Sequence, residues 1–151
     1  MPITAIPSVT DALPLLRECG LPVCDLNEAN DSACTRAPLA FFGMCIDGEL
    51  AGVIGLEVYD TVALLRSLAV APARRSAGLG RQLVAFVEAE AAQRGIRELF
   101  LLTSTAESFF TAQGYALVPR AEAPVVIQGT AQFSGVCPSS AAFLGKRLAS
   151  A

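Results

Sequence analysis

Apolar residues follow two different periods along the chain, and the change of period separates predicted strands from predicted helices. Three apolar runs predict buried strands, and they span residues 39–46, 50–58 and 62–70. The Asp47-Gly48 pair between the first two runs is a strong hairpin signal. Over residues 79–94 the apolar positions recur at helical spacing, and Gly95 follows as a helix stop. These patterns predict three consecutive antiparallel strands followed by an amphipathic helix.

The remaining predicted elements follow from weaker forms of the same signals. Predicted strands span residues 3–5, 96–102, 115–119 and 141–148, and predicted helices span 10–19 and 105–113, with a further helix near Asp25. A strand, helix, strand order with a right-handed crossover pairs 62–70 with 96–102 in parallel. The predicted fold class is therefore α+β. One domain over residues 1–151 would contain a mostly antiparallel mixed sheet, with one parallel strand pair and helices on both faces.

The composition excludes several kinds of chemistry. A chain of 151 residues with 53% hydrophobic and 17% charged residues can build a full core and is not a disordered tail. The absence of histidine excludes a Ser-His-Asp triad, a Cys-His dyad and a histidine-ligated metal. The five cysteines show no Cys-x-x-Cys pair and no zinc spacing, so we predict no metal site.

The same features predict a soluble protein of the cytoplasm. The first seven residues lack the basic and apolar regions of a signal peptide. An odd number of cysteines without an export signal indicates reduced thiols. The longest uncharged stretch, over residues 123–145, contains too many polar residues and prolines to span a membrane.

The net charge of −3 conceals an asymmetry between the two halves of the chain. Residues 1–65 contain nine acidic and two basic residues, whereas residues 66–151 contain five acidic and nine basic residues. Ten of the eleven basic residues are arginine, which suits planar, bidentate contacts with phosphate or carboxylate. An acidic chain with a basic half indicates a small anionic ligand rather than a nucleic acid.

The segment with the most specific chemistry joins a predicted strand to the predicted helix over 79–94. Its sequence is Arg75-Ser76-Ala77-Gly78-Leu79-Gly80-Arg81. Backbone N–H groups and the dipole at a helix start attract anions, and Gly78 and Gly80 would let a pyrophosphate approach those amides closely. Arg74, Arg75 and Arg81 add positive charge. A glycine-containing loop with solvated arginines is the alternative interpretation.

Residues 75–80 resemble the Arg/Gln-x-x-Gly-x-Gly/Ala motif for acetyl-CoA of the GNAT N-acetyltransferases. The order of predicted elements resembles that superfamily along nearly the whole chain. Residues 106–115, with the sequence AESFFTAQGY, are similar to the helix and turn that the family writes as Ala-x-x-Phe-Tyr-x-x-x-Gly-Phe. The closer resemblance is to the ArsN-type acetyltransferases of arsenic-resistance operons. It rests on residues 55–57, 64–70, 101–110 and 133–138.

The resemblance implies a binding site for acetyl-CoA. The amides that would hold its pyrophosphate belong to Arg75, Ser76, Ala77, Gly78, Leu79, Gly80 and Arg81. The backbone of Leu68, Ala69 and Val70 would pair with the pantetheine arm like an added strand. In the family the two parallel strands splay apart, so the thioester reaches the gap between them. There the backbone N–H of Leu68 would donate to the acetyl carbonyl, an oxyanion-type contact.

Two positions implied as cofactor contacts depart from the family's pattern. Many members carry an asparagine where this chain has Thr103, and a tyrosine where it has Phe110. That tyrosine is the general acid that protonates the leaving thiolate, and phenylalanine cannot donate a proton. Either another group serves, or the thiolate leaves with water as its proton source. A thiol of pKa ~8.5 is a tolerable leaving group near neutral pH.

Polar residues in apolar surroundings suggest the acceptor site. Glu57 is the candidate general base or substrate contact, unless it points outward from the pleat. Arg66 interrupts a run suited to a buried strand, so it needs a partner, which is either Glu57 or a substrate carboxylate. Ser67, Arg120 and Cys137 are the other candidate substrate contacts. Arg120 is equally consistent with a surface residue, and Cys137 with a small buried one.

The function predicted from these features is acetyl transfer from acetyl-CoA to the amine of a small molecule, an amino acid or an analogue of one. Without histidine we expect direct attack in a ternary complex. The closer resemblance adds arsenic resistance by detoxification. The alternatives are an acetyl-CoA-binding sensor without catalysis and a protein acetyltransferase, although the apolar residues 125–127 and Phe133 favour a closed pocket. Two copies are expected to pair, if at all, through the last strands.

Overall fold

The structure is a computed structural model that describes residues 3–6, 13–18, 39–46, 48–72, 78–104, 106–130, 133 and 141–148. The strands in these ranges are β1 (Thr4–Ile6), β2 (Leu39–Ile46), β3 (Glu49–Tyr59), β4 (Val62–Val70), β5 (Glu98–Thr103), β6 (Ala116–Leu117) and β7 (Ala142–Arg147). The helices are α1 (Leu13–Glu18), α2 (Leu79–Gln93), α3 (Glu107–Ala112), α4 (Val125–Gln128) and a 3-10 helix (Arg120–Glu122).

The described strands form one seven-stranded sheet in the order β1-β2-β3-β4-β5-β7-β6. Neighbouring strands are antiparallel, except for β4 and β5, which are parallel because α2 crosses over between them. The predicted fold class, a mostly antiparallel mixed sheet with one parallel pair, is confirmed.

A β-bulge interrupts β4 in the middle of the sheet. The β3–β4 register passes from Gly55 opposite Arg66 to Val53 opposite Ala69, so β4 contains an extra residue there. Ser67 sits at the bulge with a φ of 56°. Because of the extra residue, Leu65 and Leu68 both pack into the cluster under α2, although they are three residues apart. The bulge therefore redirects the side chains at the end of β4.

The parallel strands part beyond this point. Along the described lengths of β4 and β5, pairing is confined to Val62–Leu64 opposite Glu98–Phe100. Beyond it, β4 pairs with β3 on its other side, and β5 pairs with β7 as far as Thr103. Beyond Leu64, β5 is therefore no longer the paired neighbour of β4.

Helices cover both faces of the sheet, as predicted. On one face, α2 buries Leu79, Leu83, Val84, Val87 and Ala91 in a cluster that includes Leu65, Leu99 and Leu101. On the other face, Ile127 of α4 packs with Leu64, Phe100 and Phe143. Since successive strand residues point to opposite faces, the two clusters lie on opposite sides of the sheet.

For two strands, 39–46 and 62–70, the predicted and observed ends are the same. The other boundaries are shifted. The strand predicted from residue 96 begins at Glu98, because the N–H of Ile96 donates to Ala91 O at 3.0 Å and still belongs to the helix end. Smaller shifts make the first strand Thr4–Ile6, the second hairpin strand Glu49–Tyr59 and the last strand Ala142–Arg147.

Two helices and the sixth strand are shorter than predicted. The helix over 79–94 ends at Gln93, and that over 105–113 is Glu107–Ala112. Within 10–19 the described helix is Leu13–Glu18, and the one near Asp25 lies outside the described residues. The strand predicted over 115–119 is only Ala116–Leu117, since Tyr115 N–H bonds back to Phe110 O and proline at 119 has no N–H. Neither α4 nor the 3-10 helix was predicted.

Candidate functional site

The N-terminal end of α2 lies directly after the end of β4. Gly78 precedes the helix with a φ of 76°, a left-handed conformation that suits glycine. The first intrahelical hydrogen bond joins Gln82 N–H to Gly78 O at 3.1 Å, so the amides of residues 79–81 lie at the open end of the helix. Among the described residues no side chain caps this end, and its first turn contains no acidic residue. Such a helix end attracts anions.

The structure brings Gly78, Leu79, Gly80 and Arg81 together at this helix end, and Arg81 is exposed. The predictions for Arg75, Ser76 and Ala77, and the added charge of Arg74, lie outside the described residues. The contact of this helix end with pyrophosphate stays a prediction.

The last residues of β4 direct their backbone groups in two directions. Ala71 N–H donates to Ala51 O at 2.8 Å on β3. Because backbone groups alternate along a strand, Ala69 also faces β3, whereas the N–H groups of Leu68 and Val70 face the β5 side. That side is where β4 and β5 have parted. The role of Leu68 as an oxyanion contact stays a prediction.

Phe109 of α3 closes this region from the α2 side. A Cβ built on Gly80 would lie 3.4 Å from Phe109 Cζ and 3.8 Å from Val70 Cγ2. Phe110, which the resemblance implies as a cofactor contact, is 4% exposed and meets Phe109 and Tyr115 edge-on within the core, and its contact with the cofactor stays a prediction. Phe109 is thus the aromatic residue of α3 that lies beside the start of α2.

The hydroxyl of Thr103 has a local structural role at the end of β5. Its Oγ1 accepts a hydrogen bond from Ala106 N–H at 3.0 Å, which fixes the turn into α3. Cofactor contact by this residue stays a prediction.

Glu57 and Arg66 meet on the face of the sheet opposite α2. Arg66 Nη1 lies 3.5 Å from Glu57 Oε2, and the two side chains are 1% and 8% exposed. Arg66 Nε also donates to Ser67 Oγ at 3.1 Å. Glu57 does not point outward to solvent, and the structural alternative for Arg66, pairing with Glu57, is observed. A further role of either residue with substrate stays a prediction.

Gly55 makes room for this pair. It stands opposite Arg66, and a Cβ at position 55 would lie 3.2 Å from Arg66 Cγ and 2.9 Å from Phe41 Cε1. The stem of Arg66 therefore occupies space that a side chain on β3 would otherwise fill.

Tyr59 is a member of this cluster that sequence reasoning missed. Its hydroxyl donates to Glu57 Oε1 at 3.1 Å. The signal was present in the sequence, because residues two apart on a strand point to the same face.

The other candidate substrate residues are spread over the end of the chain. Arg120 Nη2 donates to Ala141 O at 2.7 Å, and the Arg120 guanidinium lies 5.4 Å from the ring centroid of Phe133. Arg120 is half-buried, so it is not a plain surface residue, and its contact with a substrate stays a prediction. Cys137 lies outside the described residues. The expected apolar closure by residues 125–127 is wrong in part, because Val125 is 85% exposed and only Ile127 of the three is buried.

A second polar cluster joins α2, α3 and β7. The Tyr115 hydroxyl donates to Glu88 Oε2 at 2.9 Å, and Lys146 Nζ donates to both Glu88 oxygens at 3.0 Å and to Gln113 O at 2.9 Å. Burial, followed by the charge of Glu88 and the hydrogen bond to it, raises the pKa of Tyr115 far above its ordinary value. The hydroxyl thus stays protonated, and this cluster holds α3 in place.

The predicted absence of a metal site and of a membrane span concerns the described part of the chain as follows. There, no group of three or more cysteine, aspartate or glutamate side chains is arranged to hold a metal ion. None of the described helices is both long and apolar enough to cross a bilayer.

Comparison with known proteins bears on family and fold. Residues 9–115 match the sequence model of the acetyltransferase (GNAT) family. An uncharacterized N-acetyltransferase of Chlorobaculum tepidum is 37% identical over 76 residues, which are 50% of this chain and 48% of that protein. The chain thus spans about half the length of the curated relative it matches.

Solved structures share the fold at low sequence identity. One is N-acetylglutamate synthase from Neisseria gonorrhoeae, complexed with coenzyme A and N-acetyl-glutamate, with a TM-score of 0.75 and 20% identity over 99% of this chain and 36% of that one. Another is an aminoglycoside 6'-N-acetyltransferase complexed with coenzyme A, with a TM-score of 0.71 and 18% identity over 100% of this chain and 99% of that one. These likenesses establish the fold.

Proposed function

Because the chain belongs to the acetyltransferase (GNAT) family, we propose that it binds acetyl-CoA and transfers the acetyl group to the amine of a small molecule. The observation that carries this proposal is the parting of β4 and β5 beside the open N-terminal end of α2. A thioester that enters between the strands meets a backbone edge on one side, while an anion at the helix start anchors the cofactor.

The proposed cofactor site has two parts. Amides at the start of α2, with those of Arg75, Ser76 and Ala77 before it, bind the pyrophosphate. The backbone of residues 68–70 pairs with the pantetheine arm, and the outward direction of the Leu68 and Val70 N–H groups supports this. Phe109 forms an apolar wall where the arm passes Gly80.

The chemistry proposed is direct attack in a ternary complex. The amine nitrogen forms a bond to the acetyl carbon, the carbon–sulfur bond breaks, and the sulfur leaves as CoA thiolate. The Leu68 N–H donates to the oxygen that gains charge in the tetrahedral state. Glu57 removes the proton that the amine must lose. Phe110 has no proton to give, so water protonates the thiolate.

The proposed acceptor is an α-amino acid or an analogue of one. A buried guanidinium suits a carboxylate, and Arg66 lies beside Glu57, so one molecule that carries both charges matches the pair. The bound N-acetyl-glutamate in the neisserial synthase structure is an acetylated amino acid, which supports this class. Ser67, Arg120 and Cys137 are proposed as further contacts. Resemblance to the ArsN-type enzymes adds arsenic- and phosphorus-containing amino acids, and a role in detoxification, to the proposal.

Mass spectrometry provides the test, because five native cysteines would confuse a thiol dye. Purified protein and acetyl-CoA are incubated with free amino acids, arsenic and phosphorus analogues, simple amines without a carboxylate, and short peptides. Acetylation confined to amino acids or analogues supports the proposal. Acetylation of simple amines with equal efficiency would contradict the carboxylate contact, and modified peptides would favour a protein acetyltransferase.

A second candidate function is an acetyl-CoA-binding sensor without catalysis. The sensor is favoured by the burial of Phe110, because many family members have at this position the tyrosine that acts as general acid. Tight acetyl-CoA binding without a product from any amine would support the sensor. For either function we propose that the protein works in the cytoplasm and binds small molecules rather than nucleic acids. A homodimer that forms through the last strands stays a prediction.

A further inference from the structure

The two oxygens of Glu57 are held from different strands. Tyr59 Oη donates to Oε1 at 3.1 Å, and Arg66 Nη1 lies 3.5 Å from Oε2. The first contact comes along β3 and the second across from β4. A carboxylate with a hydrogen bond to one oxygen and a guanidinium beside the other has restricted freedom to rotate, so its orientation is largely set before any substrate arrives.

The ring of Tyr59 is positioned by packing that does not depend on its hydroxyl. Tyr59 is half-buried at the end of β3 and packs against the cluster of Leu64, Phe100 and Phe143. A phenylalanine at position 59 would keep that packing. Tyr59→Phe thus removes the hydrogen bond to Glu57 while it keeps the ring.

We propose that Tyr59 is the positioning residue for Glu57. Its hydrogen bond keeps the Glu57 carboxylate ionised and correctly oriented to receive the proton of the acceptor amine. This inference rests on the proposed function. A hydrogen bond donated to a carboxylate favours its charged form over the acid. Arg66 acts in the same direction, while α1, which contacts β3 and β4, presents only the exposed side chains of Arg17 and Glu18.

Tyr59 is a specific choice because the chain offers a matched control. Tyr59 and Tyr115 are the only tyrosines, and each donates its hydroxyl hydrogen bond to a glutamate. Only the partner of Tyr59 belongs to the proposed acceptor site. Tyr59→Phe and Tyr115→Phe therefore remove the same atom and the same kind of hydrogen bond at two different places.

The first measurement is a ¹³C titration of the glutamate carboxyl groups in the full chain. The Glu57 signal is assigned by its loss in Glu57→Gln. We expect Tyr59→Phe to raise the midpoint of the Glu57 titration by roughly half to one pH unit, as loss of one hydrogen bond implies. Tyr115→Phe should leave it unchanged. An equal midpoint in the wild type and in both variants would overturn the proposal, whether or not the protein acetylates anything.

The second measurement is the pH dependence of kcat with an amine that the wild type acetylates. Tyr59→Phe should move the acidic limb to higher pH by the same amount and leave the KM for acetyl-CoA unchanged. Glu57→Gln should lower kcat by roughly 10²–10⁴-fold. If Glu57→Gln has full activity, the proposed base is wrong. If Glu57→Gln is inactive and Tyr59→Phe shows the profile of Tyr115→Phe, only the role of Tyr59 is wrong.

Discussion

Arg66 and Glu57 form an ion pair whose side chains are almost excluded from water, with 3.5 Å between Nη1 and Oε2. Removal of one partner of a buried pair leaves an uncompensated charge, whereas removal of both costs much less. The two residues therefore depend on each other for the stability of the fold, and a substrate carboxylate would compete with Glu57 for the guanidinium.

We expect Arg66→Met to lower the free energy of unfolding by about 3–5 kcal/mol, and Arg66→Met/Glu57→Gln to lower it by less. Urea denaturation measures both. The control is Arg94→Met, which removes the exposed Arg94–Glu90 pair and should cost less than about 1 kcal/mol. An Arg66→Met protein as stable as the control would show that the buried pair is unimportant for folding.

A glutamate at position 78 should abolish acetyl-CoA binding. Gly78→Glu would place a negative charge against the pyrophosphate at the start of α2, and we expect the affinity to fall about 100-fold or more in calorimetry. Gly95→Glu is the control, because Gly95 has a φ of 83° against 76° at Gly78 and both positions have open space for a side chain. It lies beyond the opposite end of the same helix. Equal affinity of the two variants would remove the anion site from α2.

Restoring the family tyrosine should not restore a general acid. Phe110 is 4% exposed, so Phe110→Tyr would bury a hydroxyl among the aromatic rings of Phe109 and Tyr115. An unsatisfied buried hydroxyl costs about 1–3 kcal/mol, and we expect a lower melting temperature with an unchanged kcat. Phe109→Tyr is the comparison at a half-buried position, with a smaller loss of stability. A kcat increase in Phe110→Tyr alone would mean that position 110 faces the thiolate.

Tyr115 should make the fold sensitive to alkaline pH. Burial and Glu88 raise the pKa of Tyr115 in the folded chain above the ordinary value of about 10 that it has when unfolded. Its contribution to stability is thus complete below pH ~10 and declines as pH rises further, because only the unfolded chain loses the proton. The free energy of unfolding, measured by denaturant titration between about pH 8 and pH 11, should fall less steeply with pH for Tyr115→Phe than for the wild type. Identical slopes would contradict this assignment.

The sequence predicted the sheet better than the site, for a physical reason. The strands 39–46 and 62–70 were predicted to their ends because both are largely apolar runs bounded by turn residues. The bulge at Ser67 has no such signal. It arises from the pairing of β4 with β3, and it decides that Leu68 faces α2 while Arg66 faces the opposite side.

Some contacts between side chains also escaped prediction. The sequence marked Glu57 and Arg66 as polar residues in apolar strands, but not that Tyr59 holds the other oxygen of Glu57. The motif implied Phe110 as a cofactor contact, which stays a prediction, but did not indicate its edge-on packing against Tyr115. Motifs indicate which residue types recur, and only the packing shows which way each ring faces.

The short seam between β4 and β5 has a mechanical consequence. The sheet consists of two leaves, β1 to β4 and β5 with β7 and β6, and three residue pairs join them directly. A change in the angle between the leaves strains that seam and the side-chain clusters that span it on both faces of the sheet. A molecule wedged between the leaves would bridge them and stiffen the whole domain. Protection of the β4 amides from hydrogen exchange would then rise on ligand binding, together with those of β5.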